Sequence, residues 1–584
     1  MRVLLVYPPV LHERVHQDEV AVPPLGIYSV GAVLREQGYG VEIWNAAETG
    51  GRPESMEPVL REMRPDVVGF SVLHANRWGA VDMARVVKRL DPRVRVVLGG
   101  IGATFLWEQL LAHVPEVDGI VLGEGELSFL DLVRHFEAHP GPGEAPWPER
   151  ITGIAFRKEG RPVRTPDRPP VRDLDSLPNP ARYFTYRHLA STRGCAQSCS
   201  FCGSPRFWGR SVRALSPGRF VEELELLYGR GVSFFYVSDD TFTADRDRVV
   251  EICRRILARG LRITWFAIAR VDHVDEGVLR WMRRAGCIQV SYGVESGSEA
   301  VRRSLGKPLR PERIQRAFAL TTRAGILARA YFIYGCPGET DETVRETLEL
   351  IRDIRPLGAI FYILEVFPGT ALCERMERAG RLSGAAWLDR IEGIPCFELD
   401  PAIGRDQVLA WGRRLRDGFH RLLGGFAGGV TLSDDEEMRP LNADFCSRLA
   451  MTFSHGDYAR IEAVPDPEGT AETLFRRSLG YHPDHRAFLG LAVLHQKRGE
   501  HREAARLLEE GLERFPESEP LSLCLGVSFM NLGRLEEALA LFERFPGSRE
   551  AAGYAERCRG RLEEGPAAPS RPGSGAGPPE SRRG

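Results

Sequence analysis

Three closely spaced cysteines are the residues of this chain best suited to chemistry. Cys195, Cys199 and Cys202 form a C-x3-C-x2-C pattern within the segment STRGCAQSCSFCGSP. A tight loop with three thiolates can ligate three irons of a four-iron four-sulfur cubane and leave the fourth iron without a protein ligand. Zinc is the alternative, but it normally takes four tetrahedral ligands from paired short spacings, and the next cysteine is Cys253. The spacing therefore favours a cluster with one open iron.

This pattern resembles the signature of the radical S-adenosylmethionine (SAM) superfamily, in which an aromatic residue, here Phe201, precedes the third cysteine. The resemblance implies that SAM binds the open iron through its amino and carboxylate groups. It also implies that one electron from the reduced cluster cleaves SAM to methionine and a 5'-deoxyadenosyl radical. The protein then has to exclude water and direct that radical at one hydrogen. An electron donor such as flavodoxin or ferredoxin is the expected partner.

Several positions downstream of the cysteines resemble the superfamily's SAM-binding segments in order and spacing. The SAM contacts implied by the resemblance are Asp239, Asp240, Arg270, Glu295, Ser296, Gly335 and Gly338. The aspartates match groups that hold the SAM ammonium, the Glu-Ser pair matches the segment beside the ribose and methionine, and the glycines belong to a loop beside the adenine. The arginine is assigned to the SAM carboxylate, with an ordinary surface arginine as the alternative. Taken singly, an Asp-Asp pair is equally a helix cap, and Glu-Ser-Gly is a common turn.

The elements that must position these residues alternate between strand and helix from residue 191 to about 400. The strand candidates are 234–238, 263–267, 288–292, 329–333 and 360–365. This alternation predicts a complete or partial βα barrel, whose chemistry lies in the loops that follow the strands.

Residues 1–140 form a second α/β pattern, with strand candidates at 3–7, 41–44, 67–72, 94–98 and 119–122. The pattern predicts a doubly wound parallel sheet, whose ligands sit beyond the carboxyl ends of the strands. A G-x-G-x-x-G fingerprint after the first strand is absent because Pro8 and Pro9 occupy that turn, which disfavours nicotinamide binding.

This layout resembles the cobalamin-binding domain that precedes the barrel in a large radical SAM subclass. The resemblance implies cobalamin contacts at Pro24, Gly26, His74, Gly99, Gly100, Gly123 and Glu124. No D-x-H-x-x-G motif occurs, so the histidine that ligates cobalt in many other cobalamin proteins is missing. Doubly wound sheets also bind flavins or nucleotides, or serve as scaffolds, and these alternatives stay open.

The remaining segments are predicted to connect or extend these domains. Residues 141–190 are a proline-rich linker with one hairpin, 191–400 the barrel, 401–464 a helical extension, 465–563 helical repeats and 564–584 a disordered tail. Matching small and apolar residues recur with a period of 34 in the repeats: Ala492, Gly499, Ala504 and Leu508 against Gly526, Gly533, Ala538 and Phe542. The period resembles tetratricopeptide repeats, which implies a surface for a partner protein, with a stabilising appendage as the alternative.

Composition narrows the class of function. The chain has 584 residues, a net charge of -2 and 43% hydrophobic residues, which indicates a globular protein without an electrostatic footprint for nucleic acid. No export signal and no apolar run of membrane-spanning length are evident, so a cytoplasmic protein without a membrane span is expected.

The leading hypothesis is a cobalamin-dependent methyl transfer to an unactivated carbon of a metabolite, lipid or peptide. Radical cyclisation or oxidation on the same architecture is the alternative. An RNA-modifying enzyme ranks lower, because the first 190 residues contain no cysteine for a second cluster and the C-terminus is not basic. An iron-sulfur sensor or scaffold also ranks lower, because a sensor has no need of the SAM-binding segments.

Overall fold

A computed structural model describes residues 1–10, 26–49, 52–139, 147–400 and 402–563. The chain divides into two compact units, Met1–Ser433 and Asp434–Gly584. Within the described ranges, no helix combines the length and the apolar character that crossing a bilayer requires.

The first unit begins with a sheet of seven strands, ordered β2-β1-β3-β4-β5-β6-β7. Its elements are β1 Arg2–Tyr7, α1 Gly26–Glu36, β2 Gly40–Asn45, α2 Met56–Met63, β3 Val67–Ser71, α3 Arg77–Leu90, β4 Arg95–Gly99, α4 Ile101–Phe105, α5 Trp107–His113, β5 Gly119–Val121, α6 Gly125–Ala138, β6 Ile154–Lys158 and β7 Arg161–Arg164. Strands β1 to β5 are parallel, and their apolar runs are buried because helices cover both faces.

The hairpin predicted inside the linker has a larger role than a connector. Strand β6 pairs antiparallel with β5, and Ile154, Ala155 and Phe156 are buried in the core of the sheet. The prediction that 141–190 lies outside a core is therefore wrong for this hairpin, since it completes the edge of the sheet and removes an unpaired strand from solvent.

A second sheet in the same unit has six parallel strands in the order β15-β14-β13-β12-β11-β8. The elements of this part of the chain are β8 His188–Leu189, β9 Thr192–Arg193, α7 Ser204–Phe207, β10 Arg213–Ala214, α8 Pro217–Tyr228, β11 Phe234–Val237, α9 Arg246–Ala258, β12 Thr264–Ala269, α10 Glu276–Arg284, β13 Cys287–Glu295, α11 Glu299–Ser304, α12 Pro311–Arg323, β14 Leu327–Tyr334, α13 Asp341–Ile354, β15 Gly358–Ile363, β16 Glu365–Val366, α14 Ala371–Arg378, β17 Ile394–Pro395 and α15 Arg405–Gly428. Strands β9 and β10 form a separate antiparallel pair, and so do β16 and β17. The predicted fold class is confirmed, with the barrel partial.

Helix α15 belongs to the first unit, because it packs on the outer face of the barrel. A Cβ on Gly412 would lie 2.5 Å from the Tyr334 ring, so glycine allows this close approach. The boundary between the two compact units therefore falls inside the segment 401–464 that the sequence predicts as one helical extension.

The second unit is helical throughout its described part. Its helices are α16 Arg439–Ser454, α17 Pro467–Tyr481, α18 His485–Lys497, α19 His501–Arg514, α20 Glu519–Asn531, α21 Leu535–Glu543 and α22 Arg549–Glu563. The 34-residue spacing is visible in the backbone, since Gly499 and Gly533 both have a positive φ, of 76° and 78°, at the turn after a helix. Ala504 and Ala538 are both fully buried in the helix that follows.

Candidate active site

The three cysteines lie on one loop between β9 and α7, all with free and partly buried thiols. Backbone contacts hold this loop from two sides: the Ser200 N–H donates to the Leu305 carbonyl at 2.8 Å, and the Leu372 N–H donates to the Ser200 carbonyl at 2.8 Å. Gly306, with φ of +70°, lies so close that a Cβ there would be 3.0 Å from the Ser198 carbonyl oxygen. Protein contacts alone therefore fix the position of this loop.

The chemistry of these thiols fits an iron-sulfur cluster. Burial raises the pKa of Cys199, and it raises the pKa of Cys202 to about 11. Cys195 adds to both shifts, and Cys199 adds to that of Cys202. Thiolates disfavoured in this way gain most from bound cations, since ligation deprotonates them. In the described part of the chain, no three His, Cys, Asp or Glu side chains converge on a point for a single ion.

The two aspartates after β11 have different surroundings. Asp239 is buried, and its carboxylate accepts hydrogen bonds from the Ser191 amide and hydroxyl, both at 2.5 Å, and from the Thr192 amide at 3.0 Å. Both oxygens therefore have protein partners, and the side chain fixes the strand that leads into the cysteine loop. Asp240 is exposed toward a cavity and, among the described residues, its carboxylate accepts only from the Ser204 hydroxyl. Of the two, only Asp240 has capacity left for a ligand cation.

Glu295 lies at a strained position at the end of β13. Its φ of +67° is rare for a residue with a side chain, and the pairing of β13 with β14 shifts between Gly293 and Glu295. The buried carboxylate pairs with Lys307 at 2.5 Å, and a Cβ on Gly293 would collide with both groups. Glu295, Lys307 and Arg270 all act electrostatically on Cys199, so this bulge lies beside the cysteine loop.

Ser296 and Arg270, two further predicted SAM contacts, are engaged inside the protein. Ser296 is buried, and its hydroxyl lies 3.2 Å from the Thr347 hydroxyl. Arg270 donates to both oxygens of Asp272, at 2.9 and 2.8 Å, which lowers the pKa of Asp272 against the opposing effect of burial. Arg270 still lines a second cavity, of about 280 Å³, together with Cys195.

A buried carboxyl group, that of Glu339, organises the loop after β14. Glu339 accepts hydrogen bonds from the amides of Gly335, at 2.5 Å, and Cys336, at 3.0 Å. Burial raises the pKa of Glu339 to about 7, although both amides oppose this shift. Gly335 is buried with φ of +76°, whereas Gly338 has φ of +77° at an exposed turn with no close neighbour. Of the two glycines, only Gly335 lies in the interior of this loop.

A cavity of about 440 Å³ lies at the carboxyl ends of the N-terminal strands. Five of the seven predicted cobalamin contacts line it: Gly26, Gly99, Gly100, Gly123 and Glu124. Pro24 lies outside the described residues. On the sheet side the cavity reaches Gly69, where a Cβ would be 2.8 Å from the Leu5 side chain. On the barrel side it reaches Asp240 and Arg193.

His74 differs from its prediction as a residue that faces the ligand crevice. It is buried, its ring stacks on Phe367 with centroids 5.1 Å apart, and it is not among the described residues that line the cavity. Burial and the nearby Arg77 lower the pKa of His74 to about 3, so the ring is neutral. The tertiary contact with Phe367 takes the ring away from the crevice.

Sequence reasoning missed a buried charge network on the cavity wall. Arg193, two residues before Cys195, pairs with Glu126 at 2.5 Å and with Glu124 at 3.3 Å. Arg213 pairs with Glu124 from the neighbouring strand. The only signal in the sequence is the pair of glutamates in a glycine-rich turn, and nothing local connects them to an arginine 67 residues away.

The sequence matches two known domain families. The radical SAM superfamily matches residues 189–351, and the B12 binding domain matches residues 15–133. The chain is 31% identical over 386 residues to an uncharacterised methyltransferase of Pyrococcus horikoshii, covering 64% of this chain and 83% of the relative. It is also 31% identical over 397 residues to the anaerobic magnesium-protoporphyrin IX monomethyl ester cyclase of Rubrivivax gelatinosus, covering 64% and 70%.

Two solved structures share the fold. One is the radical SAM methyltransferase TsrM of Kitasatospora setae with cobalamin and a [4Fe-4S] cluster bound: TM-score 0.58, 18% identity, 83% of this chain and all of that one covered. The other is the cobalamin-dependent radical enzyme OxsB with aqua-cobalamin and SAM bound: TM-score 0.56, 17% identity, 91% of this chain and 84% of that one covered.

Proposed function

This chain belongs to the radical SAM superfamily and has a B12-binding domain ahead of its barrel, and from that membership we propose a cobalamin-dependent methyl transfer to an unactivated carbon. The substrate is a small molecule, lipid or peptide, and the enzyme works in the cytoplasm with a flavodoxin or ferredoxin as electron donor. The observation that supports this proposal best is the 440 Å³ cavity, which extends from the glycine loops Gly99-Gly100 and Gly123 to Asp240 beside the cysteine loop.

When bound, the cluster with SAM supplies a hydrogen-abstracting radical, and cobalamin supplies the methyl group. The chain's own residues bind and orient these groups. The thiolates of Cys195, Cys199 and Cys202 would hold three irons, while the backbone contacts to Leu305 and Leu372 keep the loop in place. Apolar side chains such as Leu5, Ile27 and Phe70 form most of the cavity wall, which disfavours water beside a reactive intermediate.

Around SAM, we assign Asp240 to the ammonium group, because it has few protein partners and is accessible. We place Glu295 beside the ribose, and Gly335 with Gly338 in the adenine loop that Glu339 organises. Asp239, Ser296 and Arg270 are positioning residues in this proposal, since each already has protein partners that fix the site's walls.

For cobalamin, we assign the contacts to Gly26, Gly99, Gly100, Gly123 and Glu124, within a domain of residues 1–140. Glycines suit a close approach of backbone to a flat macrocycle, because no Cβ intervenes. Gly123 supports this assignment, since its φ is +68° and a Cβ there would enter open space along the cavity. Gly100 has to be glycine for its own backbone, because its φ is +94° and a Cβ would lie 2.8 Å from the Val72 carbonyl.

Radical cyclisation or oxidation is the second candidate for the same site. It is favoured by the relatives named as anaerobic magnesium-protoporphyrin IX monomethyl ester cyclases, at 31% and 30% identity. The two candidates differ in product, since methyl transfer adds one carbon to the substrate and cyclisation adds none.

The proposal is tested by anaerobic purification with iron and hydroxocobalamin supplied, followed by an optical spectrum and a 5'-deoxyadenosine measurement with SAM and dithionite. We expect a broad cluster absorption, a corrinoid band and 5'-deoxyadenosine. Cys199→Ala should abolish the cluster and the cleavage together, whereas Cys446→Ala, in a buried helix of the second unit, should keep both. Cleavage by Cys199→Ala would refute the cluster assignment, and a cluster without corrinoid would refute the cobalamin assignment.

For the second unit, we propose tetratricopeptide-like repeats that bind a partner protein. Support comes from the matched turns at Gly499 and Gly533 and from close helix crossings, where a Cβ on Gly526 would lie 2.5 Å from the Phe542 ring. A chain that ends at Ser433 should retain the cluster and SAM cleavage, because the first unit is compact by itself. Loss of the cluster in that chain would show that these helices stabilise the enzyme instead.

A further inference from the structure

The interior face of the partial barrel can be identified along β14. Ala328, Ala330, Phe332 and Tyr334 are buried, and Phe332 stacks on Phe361, which in turn contacts Phe419 of the outer helix α15. Side chains alternate between the two faces of a strand, so the other set faces the barrel interior. That set, Leu327, Arg329, Tyr331 and Ile333, is only half-buried.

Aromatic rings line this interior face on both sides of β14. Tyr331 contacts Tyr362 of β15 with ring centroids 5.9 Å apart, and Tyr236 of β11 contacts Phe266 of β12 at 5.3 Å. All four rings are half-buried. Half-buried rings that converge on one interior offer apolar contact area to a ligand and suit a flat, apolar body.

Arg329 is the charged group on this face of β14. It has no ion pair and no hydrogen bond through its side chain to any of the residues that the structure describes. Its neighbours across the sheet are Ser291 on β13 and Gly358 on β15. A Cβ on Gly358 would lie 3.2 Å from the Arg329 Nε, so the arginine side chain lies across this glycine. By contrast, Arg193 and Arg270, which lie beside the cysteine loop, both pair with carboxylates.

We propose that Arg329 binds a carboxylate of the substrate and that Tyr331 and Tyr362 pack against its flat apolar body. A half-buried guanidinium without a counter-ion is costly unless a ligand supplies one, and the guanidinium fork matches a carboxylate with two parallel hydrogen bonds. The substrate class is therefore a planar, apolar acid. This inference rests on the proposed function, because β14 runs from Arg329 through Tyr331 to the Gly335 loop assigned to SAM, so the flat body of the substrate would lie between Arg329 and that loop.

The test uses 2-naphthoic acid and methyl 2-naphthoate as matched probes, because they differ only in the acidic group. Their fluorescence is titrated with the anaerobic, cluster-loaded and cobalamin-loaded full-length protein. We expect the acid to bind at least tenfold more tightly than the ester, from the strength of a charge-assisted bidentate pair. Arg329→Met should remove this preference, and Arg329→Lys should restore part of it by returning the charge. Arg352→Met, on the exposed face of α13, is the control and should keep the preference.

Three results would overturn the inference: no binding of either probe, equal binding of acid and ester to the wild-type protein, or an unchanged preference in Arg329→Met. These failures are distinguishable from a failure of the proposed function. Formation of 5'-deoxyadenosine by the wild-type protein, measured in the same preparation without probe, tests the radical chemistry alone.

Discussion

Replacing Arg193 by methionine tests whether the buried charge network on the cavity wall stabilises the site. The Arg193 side chain is 15% exposed and that of Glu126 is 3% exposed, so their contact at 2.5 Å is nearly desolvated. Burial by itself raises the pKa of Glu126, but Arg193, a backbone hydrogen bond and the Ser29 hydroxyl together outweigh burial and hold that pKa below its usual range. Methionine keeps most of the length of the side chain and removes the charge.

The size of the effect follows from what the substitution leaves behind. Breaking a buried ion pair from one side costs about 3–5 kcal/mol, because the remaining charge has no partner. Glu124 keeps Arg213, and Glu126 keeps a 2.8 Å hydrogen bond from the Ser29 hydroxyl. We therefore expect a loss near the lower end, about 3 kcal/mol in the free energy of unfolding. The loss should shrink at low pH, because without the arginine burial raises the pKa of Glu126 and protonation removes the unpaired charge.

The assay is urea unfolding of the anaerobic protein at pH 8 and pH 5.5, followed by tryptophan fluorescence. Trp208 is a local reporter, since the Arg193 guanidinium lies 5.4 Å from the centroid of its ring. The double variant Arg193→Met/Glu126→Gln should recover most of the loss, because it buries no uncompensated charge. Arg345→Met, in an exposed pair on α13, is the matched control and should leave the transition midpoint unchanged.

A loss below about 1 kcal/mol at pH 8, or an equal loss in the single and double variants, would refute this account of the network. The iron content per chain should follow stability, because Arg193 lies two residues from Cys195.

Three further predictions concern the loops around the site. Glu339 has a pKa of about 7 in the folded protein, against 4.5 ordinarily, so its contribution to stability is present below pH 4.5 and is lost as the pH rises to about 7. Glu339→Gln should therefore flatten the pH dependence of the unfolding free energy in urea by about 3 kcal/mol across that window. An unchanged pH dependence would contradict the assignment. Asp239→Asn replaces one of the two carboxylate oxygens that accept from Ser191 by an NH2 group, which is a donor. The change should lower the unfolding free energy by about 3 kcal/mol and reduce bound iron. Full iron loading at wild-type stability would disprove the positioning role of Asp239. Gly306→Ala should lose iron more than Gly260→Ala, since both have positive φ but only Gly306 has a close neighbour; equal iron loading of both variants would remove the role of that contact.

The sequence alone was enough for the features that depend on neighbouring residues. The three cysteines lie within eight residues, so any compact loop brings their thiols together. The alternation of apolar strands with amphipathic helices predicted both the N-terminal α/β domain and the barrel. It could do so because a buried helix face or strand face requires apolar residues at a regular spacing along the chain. The strand bounds differ from the structure by a few residues, as in 360–365 against Gly358–Ile363.

Tertiary structure decided which of the candidate side chains are available to a ligand. Asp239 and Asp240 are adjacent in the chain, yet only the first meets the Ser191 segment, 48 residues upstream. His74 has the right loop position, but it stacks on Phe367, which no local pattern connects to it.

In the same way, folding sets the partners of Glu126 and Glu295, and it leaves Arg329 without an ion pair to any residue that the structure describes. Spacing determines what a loop can ligate, because its atoms are covalently close. Desolvation and charge pairing depend on residues that only the fold brings near. These two effects determine which side chains can still form a hydrogen bond or an ion pair with a substrate.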